Sequence, residues 1–333
     1  AVLGTDITYI AVGTPSNEDG SINLKYVESA ARDIGKALRQ KSQYHIVVVK
    51  STVIPGTTQN LVKSTLELES QKACGVDFGL CMNPEFLRQG SAFKDTFNAD
   101  RIVIGSYDQK SGDALEALYK EFYAESLPPV IRTTLSTAEL IKYASNSMLA
   151  TKISFINTIA NICEKVPGAD VKVVARAMGL DKRIGPLFLD AGLGYGGSCF
   201  PKDVKALIAC SKAFGYTPEL LESVENVNQV QPLKAVQFCR ERLGGLEGKT
   251  IALLGLAFKP ETDDMREARV IPIIYQLLAE GAKVVAYDPV AASAARSIFD
   301  DRIQYASSAV ECLKGADGCI LVTEWDEFKK LTP

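Results

Sequence analysis

The residues with the clearest chemical content form one stretch, Gly192-Leu193-Gly194-Tyr195-Gly196-Gly197-Ser198-Cys199-Phe200-Pro201-Lys202-Asp203. A glycine-rich loop runs into a cysteine, and a helical pattern, Val204-Lys205-Ala206-Leu207-Ile208, follows. Proline is favoured in a helix's first turn because it has no N–H to leave unpaired. Cys199 is therefore expected at or just before a helix N-terminus, where free N–H groups and the helix dipole favour an anion. Lys202 adds a positive charge within one turn. Both effects raise the thiolate fraction of a thiol. The glycines let backbone approach another group closely and leave the sulfur unshielded. The competing reading is a glycine hinge with a buried structural cysteine, since free cysteines are among the most buried residues. The helix-start setting, with Lys and Asp beside it, favours a reactive nucleophile. A dinucleotide fingerprint needs a strand before its glycines, and Arg183-Ile184-Gly185-Pro186-Leu187-Phe188-Leu189-Asp190-Ala191 does not read as one.

Other groupings carry chemistry too. Lys142 and Asn146 stand four residues apart, on one helix face. An ammonium beside an amide can donate to a developing alkoxide or oxyanion; taken alone, a solvated helix face is the better reading. Glu85 follows Asn83-Pro84 and precedes Phe86 and Leu87. A carboxylate in apolar surroundings can act as a base; an acid in a helix's first turn reads equally well. Ser51-Thr52 follow the apolar run His45–Lys50. Their hydroxyls suit the orientation of water or a cofactor amide, or simple turn chemistry. The loop Leu256–Arg266 holds Lys259, Arg266 and a candidate N-cap. Its cations suit a diphosphate, although an exposed charged loop is the plainer reading. His45 is the only histidine and opens an apolar strand, so it reads as structural. Cys199 then lacks a histidine partner, which argues against a papain-like hydrolase. No His/Cys cluster has metal-ligand spacing.

These residues need a scaffold. Up to about Thr133, strand signals (Ile7–Val12, His45–Lys50, Phe78–Met82, Ile102–Gly105, Pro129–Arg132) alternate with helical ones, including Lys25–Leu38 and Gly112–Tyr123. That alternation predicts a parallel, helix-covered sheet that binds ligands beyond its strand ends. From Ser136 to about Leu246 strand signals vanish. One long helix is predicted over Thr137–Lys165, and another from about Pro218 towards Leu243. The first is long enough to bridge domains or build a dimer core. A second α/β pattern begins at Thr250, with strands Ile251–Gly255, Lys283–Tyr287 and Gly318–Val322 and a helix from about Arg266 to Ala279.

Composition narrows the class. The chain has 333 residues, room for two or three domains, and a net charge of −3 that argues against a nucleic-acid partner. Its eight cysteines have no C-x-x-C pair or disulfide-scaffold spacing, which points to a reducing cytoplasm. No apolar run approaches a membrane span. The chain opens without Met directly before a strand, which reads as a truncated front.

The run Gly194–Asp203 resembles the catalytic-cysteine motif of the UDP-glucose/GDP-mannose dehydrogenase family. The resemblance covers nearly the whole chain, through Gly13-Thr14-Pro15, Asn83-Pro84-Glu85-Phe86-Leu87, the helix of Ala138–Asn146, and Phe258-Lys259 with Thr262, Asp264 and Arg266. It implies an α/β fold of two Rossmann-like domains joined by a central helical domain with a long bridging helix. The expected domains are 1–133 for NAD, 134–246 for dimerisation and catalysis, and 247–333 for nucleotide sugar.

The implied reaction is NAD-dependent oxidation of a nucleotide sugar's C6 alcohol to a carboxylate. It passes through an aldehyde, a thiohemiacetal on Cys199 and a thioester that water hydrolyses, and consumes two NAD. Lys142 and Asn146 would hold the oxyanion, Glu85 with Thr52 would direct water, and Asp203 would hydrogen-bond near the sulfur or water. Substrate would meet Glu85, Phe86, Leu87, Gln89, Lys142 and Asn146. It would also meet Arg183, Phe188, Leu189, Gly192, Tyr195 and Gly196, with Phe258 and Lys259 from the later domain. NAD would meet Val12, Thr14, Pro15, Ser51 and Thr52 at one end, and Gln89, Cys199, Lys202 and Arg266 elsewhere. Gln89 stands where the family usually carries a second Glu; it can hydrogen-bond but cannot serve as a base.

Gly-Gly-Ser-Cys-Phe-Pro-Lys-Asp and Arg183-Ile184-Gly185 are similar to enzymes acting on UDP-glucose, which is the first choice of substrate. GDP-mannose enzymes share the cysteine motif but usually differ upstream, and UDP-N-acetylhexosamine enzymes usually show Gly-His-Cys-Ile-Pro-Val-Asp. The resemblance also implies at least a homodimer, with Arg183 reaching the neighbour's substrate. The opening strand-glycine-helix fingerprint is missing and the last domain ends early, so NAD rather than NADP rests on the resemblance alone. The competing class is a non-catalytic nucleotide-sugar-binding protein. A Gly-x-Gly-x-x-Gly segment upstream favours the enzyme, and a native start codon here favours the binder.

Overall fold

A computed structural model describes residues 1–331. The chain divides into two compact units, residues 1–145 with 205–217, and residues 146–204 with 218 onward. In the first lie β1 (Ile7–Ile10), α1 (Lys25–Gln40), β2 (His45–Val49), α2 (Lys63–Ser70), β3 (Phe78–Met82), α3 (Ala92–Phe97), β4 (Ile102–Ser106), α4 (Gln109–Tyr123) and β5 (Val130–Thr133). Then come α5 (Leu135–Cys163), α6 (Val171–Gly179), α7 (Phe200–Ala213), α8 (Glu219–Val230) and α9 (Leu233–Leu243). The unit division falls within α5 and α7. The second α/β part holds β6 (Thr250–Leu254), α10 (Val270–Ala279), β7 (Lys283–Tyr287), α11 (Ala292–Phe299), β8 (Gln304–Tyr305), α12 (Ala309–Leu313) and β9 (Gly318–Leu321).

The first sheet has the order β1-β2-β3-β4-β5. All five residues of β2, His-Ile-Val-Val-Val, are buried. Val47 and Val49 pack with Leu38 of α1 and Leu66 of α2, while Ile46 and Val48 pack with Leu115 of α4. Successive side chains point to opposite faces of a strand, so a run of β-branched residues suits a sheet covered on both sides. The second sheet has the order β8-β7-β6-β9 and is parallel throughout. It repeats the logic: Ile251 and Leu253 face one cluster, Ala252 and Leu254 the other.

Several sequence expectations need correction. The first sheet is not wholly parallel, because β4 pairs antiparallel to β3 through Met82↔Gly105 and Cys81↔Ser106. The excursion 83–101 carries only the short α3 and returns at the C-terminal end of β3, so no crossover reverses the chain. β1 stops at Ile10 because the Ser51 side chain takes both the Val12 N–H, at 2.8 Å, and the Val12 carbonyl, at 2.7 Å. The helix predicted from Pro218 to Leu243 is two helices, α8 and α9, interrupted at Gln231-Pro232; proline has no N–H for the continuing ladder. The helix predicted from Arg266 starts at Val270, and Glu267 before it holds φ +52, outside helical geometry. No strand lies between Thr133 and Thr250 among the described residues, as expected.

Two buried side chains fix loop starts. Asp288, just past β7, is 3% exposed. Its carboxylate accepts N–H groups of Leu256 (2.7 Å), Ala257 (3.2 Å), Val290 (2.9 Å), Ala291 (2.8 Å) and the Trp325 ring (3.2 Å). It thus orders the loop that leaves β6. His45 is fully buried, with Nδ1 2.9 Å from the Thr5 carbonyl and Nε2 2.9 Å from the Thr8 hydroxyl.

Asp288→Ala strands those N–H groups in the core, and the expected cost is about 3 kcal/mol, read from the urea midpoint. Burial pushes the His45 imidazole below its usual range. The unfolded chain therefore binds a proton near pH 6.5 that the folded chain refuses, and stability falls as pH drops below about 6.5. With only one histidine in the chain, urea denaturation at pH 7 and pH 5.5 should show this slope, and His45→Gln should flatten it. An unchanged slope in the variant assigns the proton elsewhere.

Candidate functional site

In the first unit, the ends of β1, β2 and β3 are tied together by side chains. The Thr14 hydroxyl donates to the Thr52 carbonyl at 2.9 Å, and Ser51 grips Val12 as described. The hydroxyls of Thr14 and Ser51 are thus spent on the backbone. Beyond β3, Lys142 of α5 donates to the Glu85 carbonyl at 2.7 Å and to its carboxylate at 3.2 Å. Lys142 is 4% exposed. Glu85 also accepts the Leu87 N–H at 2.5 Å. Its setting is therefore an ammonium and a backbone donor rather than apolar surroundings alone. An ammonium has three donors, and these contacts use two. Arg101 lies 3.8 Å from the Phe86 ring centre and Lys142 5.4 Å from it. Leu87 and Gln89 are exposed.

A cleft of about 520 Å³ opens beside the end of β1, lined by Val12, Gly13, Tyr26, Ser29, Ala30 and Asp33. Nothing lies within 4 Å of where a Gly13 side chain would start. The walls of the cleft carry two hydroxyls, of Tyr26 and Ser29, and the Asp33 carboxylate. Val12, expected to meet NAD, lines this cleft; Tyr26, Ser29 and Asp33 on α1 were not singled out, because an amphipathic helix shows no sequence sign of which exposed residues face a cleft.

In the second unit, Cys199 stands one residue before α7, and its carbonyl accepts the Asp203 N–H at 2.9 Å. This is the predicted helix-start position. The residue is exposed, and the Ser198 hydroxyl is 3.7 Å from the sulfur. Asp203 is 1% exposed. One of its oxygens accepts Asn146 at 2.6 Å and the other accepts Lys202 at 2.6 Å. The Lys202 charge is therefore balanced by Asp203 instead of standing free beside the thiol. The other cation nearby is Arg266, which is itself paired with Asp264 at 2.6 Å; a Cys199 thiolate adds to what holds its charge. Burial pushes the thiol of Cys74 up to about 12 and those of Cys81 and Cys312 up to about 11, with Cys210, Cys239 and Cys319 also raised.

The glycine loop is built for close approach. A side chain on Gly194, Gly196 or Gly197 would start 2.5 Å from the Asn228 side-chain oxygen, 2.4 Å from the Glu267 carbonyl and 2.6 Å from the Phe258 ring, respectively. Gly194 and Gly197 also hold φ +104 and +84. Asn228 of α8, 1% exposed, accepts the Tyr195 N–H at 2.7 Å and donates to its carbonyl at 3.0 Å. Gly192 is held by Asn157 at 2.8 Å and Gln231 at 3.0 Å. Sequence reading missed Asn157, Asn228 and Gln231, because a polar residue inside a helix or at its end carries no local sign of its distant partner. Leu189 and Tyr195 are buried, with the Tyr195 hydroxyl 3.3 Å from Glu225. Phe188 holds φ +65 and packs on Phe200. Lys259 lies 5.6 Å from the Phe258 ring centre. Arg183 is exposed and pairs with its own Asp181 at 2.6 Å. No group of three or more His, Cys, Asp or Glu among the described residues is placed to hold a metal. No helix there is long and apolar enough to cross a membrane.

Residues 1–123, 136–230 and 252–333 match, in turn, the NAD binding domain, the central domain and the UDP binding domain of the UDP-glucose/GDP-mannose dehydrogenase family. The chain is 47% identical to the UDP-glucose 6-dehydrogenase AglM of Haloferax volcanii, over 99% of this chain and 76% of that protein. It is 48% identical to the UDP-glucose 6-dehydrogenase YwqF of Bacillus subtilis, over 98% of this chain and 71% of that protein. A solved UDP-glucose dehydrogenase from Pyrobaculum islandicum superposes with a TM-score of 0.94 at 45% identity, covering 100% of this chain and 75% of that one. A UDP-D-ManNAc dehydrogenase from Pyrococcus horikoshii gives 0.85 at 26% identity, covering 99% and 74%. With these matches along its length, and a cysteine set between a glycine loop and a helix, the chain belongs to the UDP-glucose/GDP-mannose dehydrogenase family.

Proposed function

We propose that the chain oxidises the C6 alcohol of UDP-glucose to the carboxylate, with NAD as oxidant and Cys199 as covalent nucleophile. One observation carries the reading: an exposed thiol at the start of α7, with a buried carboxylate one turn on that holds Asn146. The choice of sugar is supported by the 45–48% identity to proteins named for UDP-glucose, against 26% for the UDP-D-ManNAc dehydrogenase. Residues 1–133 serve the cofactor, 134–246 the chemistry and 247–333 the nucleotide sugar.

Val12 and Gly13, at the cleft beside β1, would hold NAD, which when bound would supply the hydride acceptor for both two-electron oxidations. The chain's own groups do the rest. The Cys199 thiolate adds to the aldehyde carbon, forming a C–S bond and placing a charge on oxygen. Lys142 and Asn146 donate hydrogen bonds to that oxygen, a fixed arrangement that favours the charged state over the neutral one. Asp203 takes one amide N–H of Asn146 and so fixes the direction of the other. After the thioester forms, water adds to its carbonyl carbon, Glu85 takes the water's proton and Thr52 orients the water. The C–S bond breaks and Cys199 leaves as thiolate. Lys259 meets the diphosphate, and Gln89 contributes only hydrogen bonding. The free cysteines support a reducing compartment.

The same reading makes the chain at least a dimer. Leu140, Met148, Phe155 and Ile162 recur along α5 every seven or eight residues and are 44–59% exposed, an unpartnered stripe at coiled-coil spacing. Arg183 then reaches the neighbour's substrate.

Cys199→Ser should bind UDP-glucose as wild type does and lose turnover by about 10³-fold, since a hydroxyl is a poor nucleophile at neutral pH without a base. Wild type should yield two NADH per sugar, and iodoacetamide should label Cys199 before the other cysteines, with UDP-glucose protecting it. One NADH per sugar with free aldehyde, or near-normal turnover in Cys199→Ala, removes the nucleophile. No turnover with any nucleotide sugar, in the presence of tight sugar binding, favours a binding protein. For assembly, Phe155→Glu should give a monomer by light scattering that has lost activity; a fully active monomer ends the Arg183 assignment.

A further inference from the structure

Lys50 directly follows the apolar β2, and its ammonium points inward. It donates to the Asn83 side-chain oxygen at 2.8 Å, and the Tyr119 hydroxyl of α4 stands 3.4 Å away. Tyr119 donates to the same Asn83 oxygen. The Asn83 amide donates onward to the Val103 carbonyl at 2.7 Å. Tyr9 of β1 hydrogen-bonds Tyr119. Burial pushes both phenols up, so they stay neutral near pH 7. Two more charges act on Lys50 from neighbouring elements: Glu85, past β3, favours its ammonium, and Lys142 of α5 opposes it.

The position matters more than the contacts alone. Lys50 is two residues before Thr52, and Asn83 is two residues before Glu85. Their bond therefore couples the loop after β2 to the loop after β3, while Ser51 couples the loop after β2 to the end of β1. The Asn83 oxygen already has Tyr119 as donor, so a neutral neighbour would leave it satisfied. What Lys50 alone adds is charge, next to a site holding one carboxylate and one other ammonium.

We propose that Lys50 is a positioning residue for thioester hydrolysis, its positive charge holding the Glu85 loop in register with Thr52. The inference rests on the reading in which Glu85 and Thr52 handle the hydrolytic water. Two physical consequences separate it from a packing role. First, burial, with Lys142 adding to it and Glu85 opposing, brings the Lys50 amine down to about 8. The charge is present at neutral pH and lost in the mildly alkaline range, so hydrolysis should fail there. Second, the folded amine titrates below its unfolded value of 10.5. The unfolded chain then binds more protons between about pH 8 and 10.5, so stability rises with pH across that window, and at pH 7 the buried ammonium costs stability. Groups that carry such a cost collect at functional sites.

The test uses the whole protein with UDP-glucose and NAD. Lys50→Met keeps the stem and removes the charge; Lys50→Arg keeps a charge that does not titrate below pH 12. In Lys50→Met, kcat should fall about 100-fold, with KM changed no more than about threefold. Intact mass should show sugar accumulating on Cys199, because the water step has become slow. Wild-type kcat should decline above about pH 8; this limb should be absent in Lys50→Met and displaced upward in Lys50→Arg, which should recover at least about tenfold of the lost rate. The melting temperature of Lys50→Met at pH 7 should equal or exceed that of wild type. Normal kcat in Lys50→Met with the alkaline limb intact overturns the inference. So does a slow variant that also melts early and keeps the limb, which marks a packing role. If wild type itself releases one NADH per sugar and never carries a thioester, the proposed function fails and this inference with it. Two NADH from wild type with an unmoved limb in the variants defeats the inference alone.

Discussion

A side chain that takes both the N–H and the C=O of one loop residue leaves that residue a single position. Asn228 does this to Tyr195 from inside α8. The glycine loop depends on that clamp. Gly194 has no room for a side chain because Asn228 is there, and Gly197 is pinned by its own N–H on the Arg266 carbonyl at 2.9 Å. Two residues later the chain must deliver a thiol to the start of a helix. A loop of four glycines within six residues, Gly192 to Gly197, has high conformational entropy in the unfolded state. Buried amide clamps from Asn157, Asn228 and Gln231 offset it. The precision of the Cys199 position is thus set by asparagines on other helices and a glutamine at the end of α8 rather than by the motif that contains it.

The first unit solves a similar problem at its strand ends. Parallel strands finish side by side with unpaired backbone groups, and the residues just beyond them are the ones free to do chemistry. Here Ser51 and Thr14 spend their polar atoms on that backbone. Glu139 does likewise from α5, accepting the Gly56 and Thr58 N–H groups at 2.6 and 2.7 Å. Its burial pushes the carboxyl up while those same donors hold it down. Each such group carries a desolvation cost and returns geometry.

What was legible in the sequence follows from range. Strands and helices are local patterns, so β2, β3, β7 and α1 stand where alternation and periodicity put them, within two residues. The Cys199 position was legible because proline and the polar pair after it mark a helix start within a few residues. The antiparallel β4, the break at Pro232 and the shifted start of α10 were not read, because each turns on where the chain is headed or on a left-handed residue such as Glu267. Site partners were least legible. Lys142 is 57 residues from Glu85, and Asn146 is 57 residues from Asp203. The family motifs named all four as site residues but neither pairing, and spacing alone made Lys142 and Asn146 a solvated helix face. Lys50 did leave a local trace, a charge ending a strand of otherwise apolar residues, and that pattern marks a cation the fold must accommodate inside.

The charges around the thiol are arranged in a way the motif alone misrepresents. Lys202 follows Cys199 closely enough to suggest direct support of a thiolate, yet its ammonium is bonded to Asp203, which is itself nearly inaccessible. A cation whose charge is cancelled at 2.6 Å contributes little field beyond the pair. Two sources remain. One is the set of unpaired N–H groups at the start of α7, which act over a single turn. The other is Arg266, in which Asp264 competes for the guanidinium. The loop that carries both residues leaves β6 where Asp288 orders the backbone of Leu256 and Ala257, and a side chain on Gly255, which holds φ +94, would start 2.4 Å from Thr323. The Arg266–Asp264 pair near the cysteine is therefore anchored in the second sheet, outside the glycine motif.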